Sequence, residues 1–137
     1  MATVLNPYIT FDGNAREAME TYRDVFGGDL TISTFGEYGQ ADSAITDKVM
    51  HGNLTAPNGM TLMGADEPPG EKHEPGNNIA ISLSGTDADE LRGYWSKLVE
   101  GGQVSVPMEK QMWGDEFGMC TDRFGITWVV NIAGSAT

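Results

Sequence analysis

Residues 26–30 read Phe-Gly-Gly-Asp-Leu, and 74 positions later residues 100–104 read Glu-Gly-Gly-Gln-Val. This echo constrains the fold more than any other feature, because it marks one structural unit written twice. The flanking residues keep the same offset: Val25 falls on Val99, Leu30 on Val104, Thr10 on Ser84 and Phe11 on Gly85. Each copy opens with an apolar strand and continues into a helix that stops at a Gly-Gly pair, where a left-handed cap is cheap. Strand-like segments follow in both copies. The pattern predicts two β-α-β-β-β modules, residues 1–65 and 78–133, joined by a linker over 66–77, in a single domain spanning 1–137.

In the first module Val4 to Phe11 reads as a strand and Asn14 as a helix cap, with Glu17 at capping-box spacing. Ala15, Ala18, Met19, Tyr22, Val25 and Phe26 recur at three- and four-residue steps and mark one apolar helix face. Leu30 to Phe35 alternates as a strand, and Gly36 to Asp47 reads as a loop. Lys48 to Ala56 and Met60 to Gly64 flank Pro57-Asn58-Gly59, a hairpin signal. In the second module Asn78 to Ser84 reads as a strand and Thr86 with Asp89 as a capping box. Leu91, Tyr94, Trp95, Leu98 and Val99 form the helix face, and 103–106, 111–113, 117–121 and 126–132 read as strands.

Strand alternation then separates faces. Met50, Gly52 and Leu54 share one side of their strand, while Val49, His51, Asn53 and Thr55 share the other. In the second module Ile79, Ile81 and Leu83 oppose Asn78, Ala80, Ser82 and Ser84. The apolar sets belong under the helices, on the convex side, and the polar sets line the inside of a cupped mixed sheet. His51, Asn53, Asn78 and Ser82 are therefore candidate ligand-contacting residues. Trp113 and Phe117 add an aromatic platform near a turn.

Charge and cysteine count narrow the partners. Eight Lys plus Arg against twenty Asp plus Glu give a net charge of −12, which argues against nucleic acid and anionic membranes. No apolar run reaches membrane-spanning length and no export signal is visible, so a cytoplasmic protein is expected. The single cysteine, Cys120, lies in a strand and reads as a buried thiol; it can form neither an internal disulfide nor a thiolate metal site. His73 sits in a charged linker and reads as a solvated side chain. Asp66 closes a strand and reads as a loop cap, and the Asp115–Glu116 pair as a turn. The two Gly-Gly pairs lack the Gly-x-Gly-x-x-Gly spacing of a phosphate cradle, so neither a nucleotide nor an S-adenosylmethionine site is indicated.

Three stretches carry a resemblance. Pro7 to Ala15 running into Thr21 to Gly27, then Val49-Met50-His51-Gly52 with Leu62 to Asp66, and finally Trp113 to Gly118 with Asp122 to Trp128 together resemble the PhnB-like branch of the vicinal oxygen chelate superfamily. That superfamily includes glyoxalase I, bleomycin-resistance proteins and extradiol dioxygenases. The resemblance implies paired βαβββ modules, a homodimer that completes the sites, and a small-molecule ligand. Its enzymes hold a divalent metal with His and Glu from the first and last strands of each module. Those positions fall here on Asn6 or Pro7, on 61–63, on Asn78 or Ala80, and near Val129, and none carries His, Glu or Asp. Neither a metal nor another cofactor is therefore expected at that position. The leading expectation is a metal-independent small-molecule-binding protein. The alternative is an enzyme of lyase, isomerase or dioxygenase type, using His51 as base or a relocated metal site such as His51 with Asp66. A third is a dimeric structural or regulatory protein.

Overall fold

A computed structural model describes residues 3–39, 46–68 and 70–134. The chain divides into two units, Met1–Pro75 and Gly76–Thr137. The first contains β1 (Tyr8–Phe11), α1 (Ala15–Phe26), β2 (Asp29–Thr34), a 3-10 turn (Gly36–Tyr38), β3 (Val49–Thr55) and β4 (Thr61–Asp66). The second contains β5 (Ile81–Gly85), α2 (Ala88–Leu98), β6 (Gln103–Lys110), β7 (Glu116–Thr121) and β8 (Thr127–Ile132). Both follow the β-α-β-β-β order that the repeat predicts. Each unit folds into a four-stranded mixed sheet, β1-β4-β3-β2 and β5-β8-β7-β6, with one parallel pair at the edge. The architecture is α+β, with the helix of each unit packed on one face of its own sheet.

The α1 face is buried as its spacing requires: Ala15, Ala18, Met19, Tyr22, Val25 and Phe26 are all inside. Beneath it, Gly52 and Gly64 stand opposite each other across β3 and β4. A Cβ at Gly64 would lie 2.9 Å from the Phe11 ring and 3.0 Å from the Met19 sulfur. The paired glycines thus open a slot that Met19 fills, and burying a side chain of this size contributes about 2 kcal/mol. In the second unit only Leu91 and Leu98 of the α2 face are buried; Tyr94, Trp95 and Val99 are half-buried.

The repeat extends to atomic detail at the hairpin turns. Ala56 N donates to Met60 O and Gly59 N to Ala56 O; Asp122 N donates to Ile126 O and Gly125 N to Asp122 O. Behind each turn a Gly-Gly glycine touches the strand end: a Cβ at Gly28 would lie 2.0 Å from Thr55 O, and one at Gly102 would lie 2.2 Å from Thr121 O.

Several boundaries depart from the sequence reading. Asn14 makes no capping bond at α1. The carboxylate of Asp66 replaces it, accepting from Ala15 N and Val49 N at 2.9 Å each. At α2 the cap is Asp87, which accepts from Glu90 N, rather than Thr86. The segment 111–113 is the tip of the β6–β7 hairpin, closed by Gln111 N to Asp115 O, and no strand forms there. β5 begins at Ile81, so Ile79 is 83% exposed rather than packed under the helix. β4 runs through Asp66, and within the expected loop 36–47 the residues 40–45 lie outside the described ones.

Candidate functional site

In each unit the sheet face turned away from its helix carries the chemistry-bearing side chains. In the first unit Thr31, Asn53, Met63 and Tyr8 form one row across β2, β3, β4 and β1. His51 stands two residues from Asn53 on the same face, opposite Ser33. The register places both opposite Gly52 and Leu54, which face α1. The His51 ring is half-buried and lies 5.9 Å, centroid to centroid, from the Tyr8 ring. Among the described residues its ring nitrogens have no hydrogen-bond partner, and no carboxylate orients it.

In the second unit two rows cross the sheet: Ser82, Val129, Met119 and Val106, then Ser84, Asn131, Phe117 and Glu109. Ser82 and Phe117 share this face. The Trp113 indole meets the Phe117 ring edge-on at 6.3 Å and 65° while remaining 60% exposed. Asn78 precedes β5 in an exposed segment, so it does not stand in a strand row as the alternation predicts. His51 and Asn53 belong to the first unit, and Ser82, Trp113 and Phe117 to the second.

Asp115 ties the hairpin tip to the sheet. Its carboxylate accepts from Asn131 Nδ2 at 3.0 Å and from Gly134 N at 2.8 Å. The Asn131 bond, followed by the Gly134 bond, outweighs desolvation and holds this carboxyl below its ordinary value of 3.8, with the nearby Trp113 side chain a smaller influence in the same direction. The neighbouring Glu116 pairs instead with Arg92 of α2. The two carboxylates of the pair thus serve different sides of the sheet, as adjacent strand residues must. The sequence reading takes Asp115 only as part of a turn and assigns it no partner; its signal was its place two residues after Trp113 in the hairpin tip.

The residues do not fit a superfamily-type metal. Thr61, Met63 and Val129 sit in the sheets where the last-strand ligands are expected, and none offers a charged donor. Among the described residues no group of three or more His, Cys, Asp and Glu could hold an ion. The relocated pair fails on geometry as well. Asp66 lies on the α1 side of β4, with both oxygens occupied, whereas His51 lies on the opposite face of β3.

Two smaller expectations find their answers here. His73 is half-buried and its Nδ1 lies 3.2 Å from Glu67 Oε1, so it is not a freely solvated loop side chain. Cys120 is wholly buried, and its thiol is pushed up to about 11 by burial and then by the nearby Asp122 carboxylate. Only the unfolded thiol ionises between its ordinary 9.0 and about 11, so in that window rising pH favours unfolding. Native protein at pH 8 is expected to resist a thiol-specific chromophoric disulfide reagent, with one equivalent reacting on addition of denaturant; immediate reaction of the native protein would contradict the buried placement.

Comparison with known proteins supplies the context. Residues 3–131 match the profile of a family described as 3-demethylubiquinone-9 3-methyltransferase. The crystal structure of protein PA1353 from Pseudomonas aeruginosa is 34% identical, covers 98% of this chain and 100% of that one, and superposes with a TM-score of 0.87. A PhnB protein from Bacillus cereus is 22% identical with a TM-score of 0.77, covering 96% of this chain and all of that one. A glyoxylase/bleomycin resistance protein/dioxygenase domain from Frankia is 13% identical, with a TM-score of 0.65 and coverage of 100% and 96%. The last two similarities concern the fold.

Proposed function

Because this chain belongs to the 3-demethylubiquinone-9 3-methyltransferase-type family, the PhnB-like branch of the vicinal oxygen chelate superfamily, we propose that it is a metal-independent small-molecule-binding protein. The observation that carries this reading is the Trp113–Phe117 pair on the open face of the second sheet. An indole that is 60% exposed yet braced edge-on by Phe117, in a hairpin tip that Asp115 ties to Asn131 and Gly134, is a preorganised stacking surface. The glycine pairs supply no cofactor cradle for methyl transfer. Gly28 and Gly102 press against the backbone oxygens of Thr55 and Thr121, which leaves no room there for a bound group. Ser82 shares the aromatic face, and His51 and Asn53 present polar groups on the first sheet. A homodimer belongs to the same reading, and the exposed Ile79 and Leu5 are consistent with a covering partner. No helix among the described residues is long and apolar enough to cross a membrane.

The test is a thermal-shift screen of neutral, cationic and anionic heteroaromatic fragments against wild-type protein and Trp113→Ala. Hits are expected to quench tryptophan fluorescence and to lose about tenfold in affinity in the variant, the worth of one aromatic contact. Because the indole is largely exposed, the unliganded melting temperature should move little. Hits that bind Trp113→Ala as tightly as wild type would overturn the reading. An enzymatic reading, with His51 as general base, draws on the free nitrogens of that ring. It requires His51→Ala to abolish turnover of a bound hit while leaving its affinity intact.

A further inference from the structure

On the helix-covered side of the second sheet lies a cleft of about 550 Å³. It opens between the start of α2 and the ends of β6, β7 and β8. Lys110, Glu116 and Ile132 form one row across its floor, Arg92 enters from α2, and Thr86 and Gly134 complete the rim.

Its charge is opposite to that of the molecule. The chain holds only eight Lys plus Arg against twenty Asp plus Glu, yet two of the eight converge on this cleft with a single lining carboxylate, Glu116. Arg92 pairs with Glu116. The side chain of Lys110, beside Glu116 in the ladder, makes no ion pair or hydrogen bond among the described residues. One positive charge is thus left over in the cleft, within a chain of net charge −12. Glu116 also shows what Arg92 accepts, a carboxylate held by its guanidinium. The Thr86 hydroxyl adds a donor, and Ile132 supplies an apolar wall that an inorganic ion would not use.

We propose that this cleft binds a small organic oxyanion, a carboxylate or phosphate on a short aliphatic stem, between Arg92 and Lys110. It lies across the sheet from Trp113 and Phe117, so it is separate from the open-face site and stands whether or not that site binds a ligand.

The experiment is a titration of isotope-labelled full-length protein with succinate, inorganic phosphate and chloride at matched ionic strength, followed by backbone amide shifts. Saturable shifts at Thr86, Gly114 and Gly134 are expected with succinate or phosphate and not with chloride. Tighter binding of succinate would assign the site to carboxylates, and tighter binding of phosphate to phosphate esters. Lys110→Glu should weaken binding about tenfold, whereas Glu116→Gln, which frees Arg92, should strengthen it about threefold. Non-saturating shifts matching those of chloride, or equal affinity in Lys110→Glu, would overturn the proposal. So would loss of binding in Trp113→Ala, which would move the ligand to the other face.

Discussion

Gly28→Ala is expected to leave no cooperatively folded protein at room temperature. The added Cβ would lie 2.0 Å from the Thr55 carbonyl oxygen and 2.8 Å from Ala56 Cα, and φ is +102°, a conformation that L side chains rarely adopt. Neither obstacle is the end of a flexible side chain, so relief requires β2 to leave β3. The cost exceeds about 4 kcal/mol, a large part of the roughly 5–15 kcal/mol that stabilises a domain. Gly39 provides the comparison: its φ is +91°, but nothing among the described residues lies within 4 Å of its Cβ position. Gly39→Ala should therefore cost only about 1 kcal/mol of backbone strain. Urea unfolding followed by circular dichroism separates the two. A Gly28→Ala protein with a wild-type midpoint would show that the helix end and the strand are not in contact.

Asp66→Ala is expected to cost about 3 kcal/mol in the same measurement, because it strips two buried backbone N–H groups of their shared acceptor. Asp66 is 4% exposed and joins the first N–H of α1 to the first N–H of β3. Asn14→Ala, at the conventional cap position, should change stability by no more than a few tenths of a kcal/mol, since that side chain makes no capping bond. If Asn14→Ala proved the more damaging, the assignment of the cap to Asp66 would be wrong.

These two cases show where sequence reasoning succeeds and where it stops. The α1 face was legible because burial recurs at helical spacing within a few residues. The first Gly-Gly pair was legible as a helix end, whereas α2 stops at Leu98 with Val99 as its cap and Gly101–Gly102 lie beyond it; the press of Gly28 and Gly102 against Thr55 and Thr121 depends on strands that arrive later in the chain. The Asp66 cap was beyond reach of local rules, since its bond to Ala15 spans 51 positions while capping signals span three. Apolar Met112 and Trp113 imitated a strand over 111–113, although Met112 is 98% exposed at a hairpin tip.

For the site, strand parity alone put His51 and Asn53 on the open face, and the Trp-Gly-Asp-x-Phe-Gly segment pointed to the aromatic pair. The bonds that tie down the hairpin tip were not legible, because Asp115 meets Asn131 and Gly134 across 16 and 19 positions. The cationic cleft is equally non-local. Arg92 and Glu116 lie 24 residues apart, and no periodicity links a helix residue to a particular strand residue.

The two hairpin turns share one hydrogen-bonded frame but not one degree of freedom. In the first, Asn58 Oδ1 bonds Met60 N from the surface. In the second, the Asp122 carboxylate takes Phe124 N, Ile126 N and the indole of Trp128, which is 1% exposed. A tip over 57–59 can therefore accept inserted residues or a new chain terminus while the core beneath stays shut. The same cut over 123–125 would unfasten the largest side chain of the interior. Twin backbones have given the molecule one turn open to redesign and one sealed.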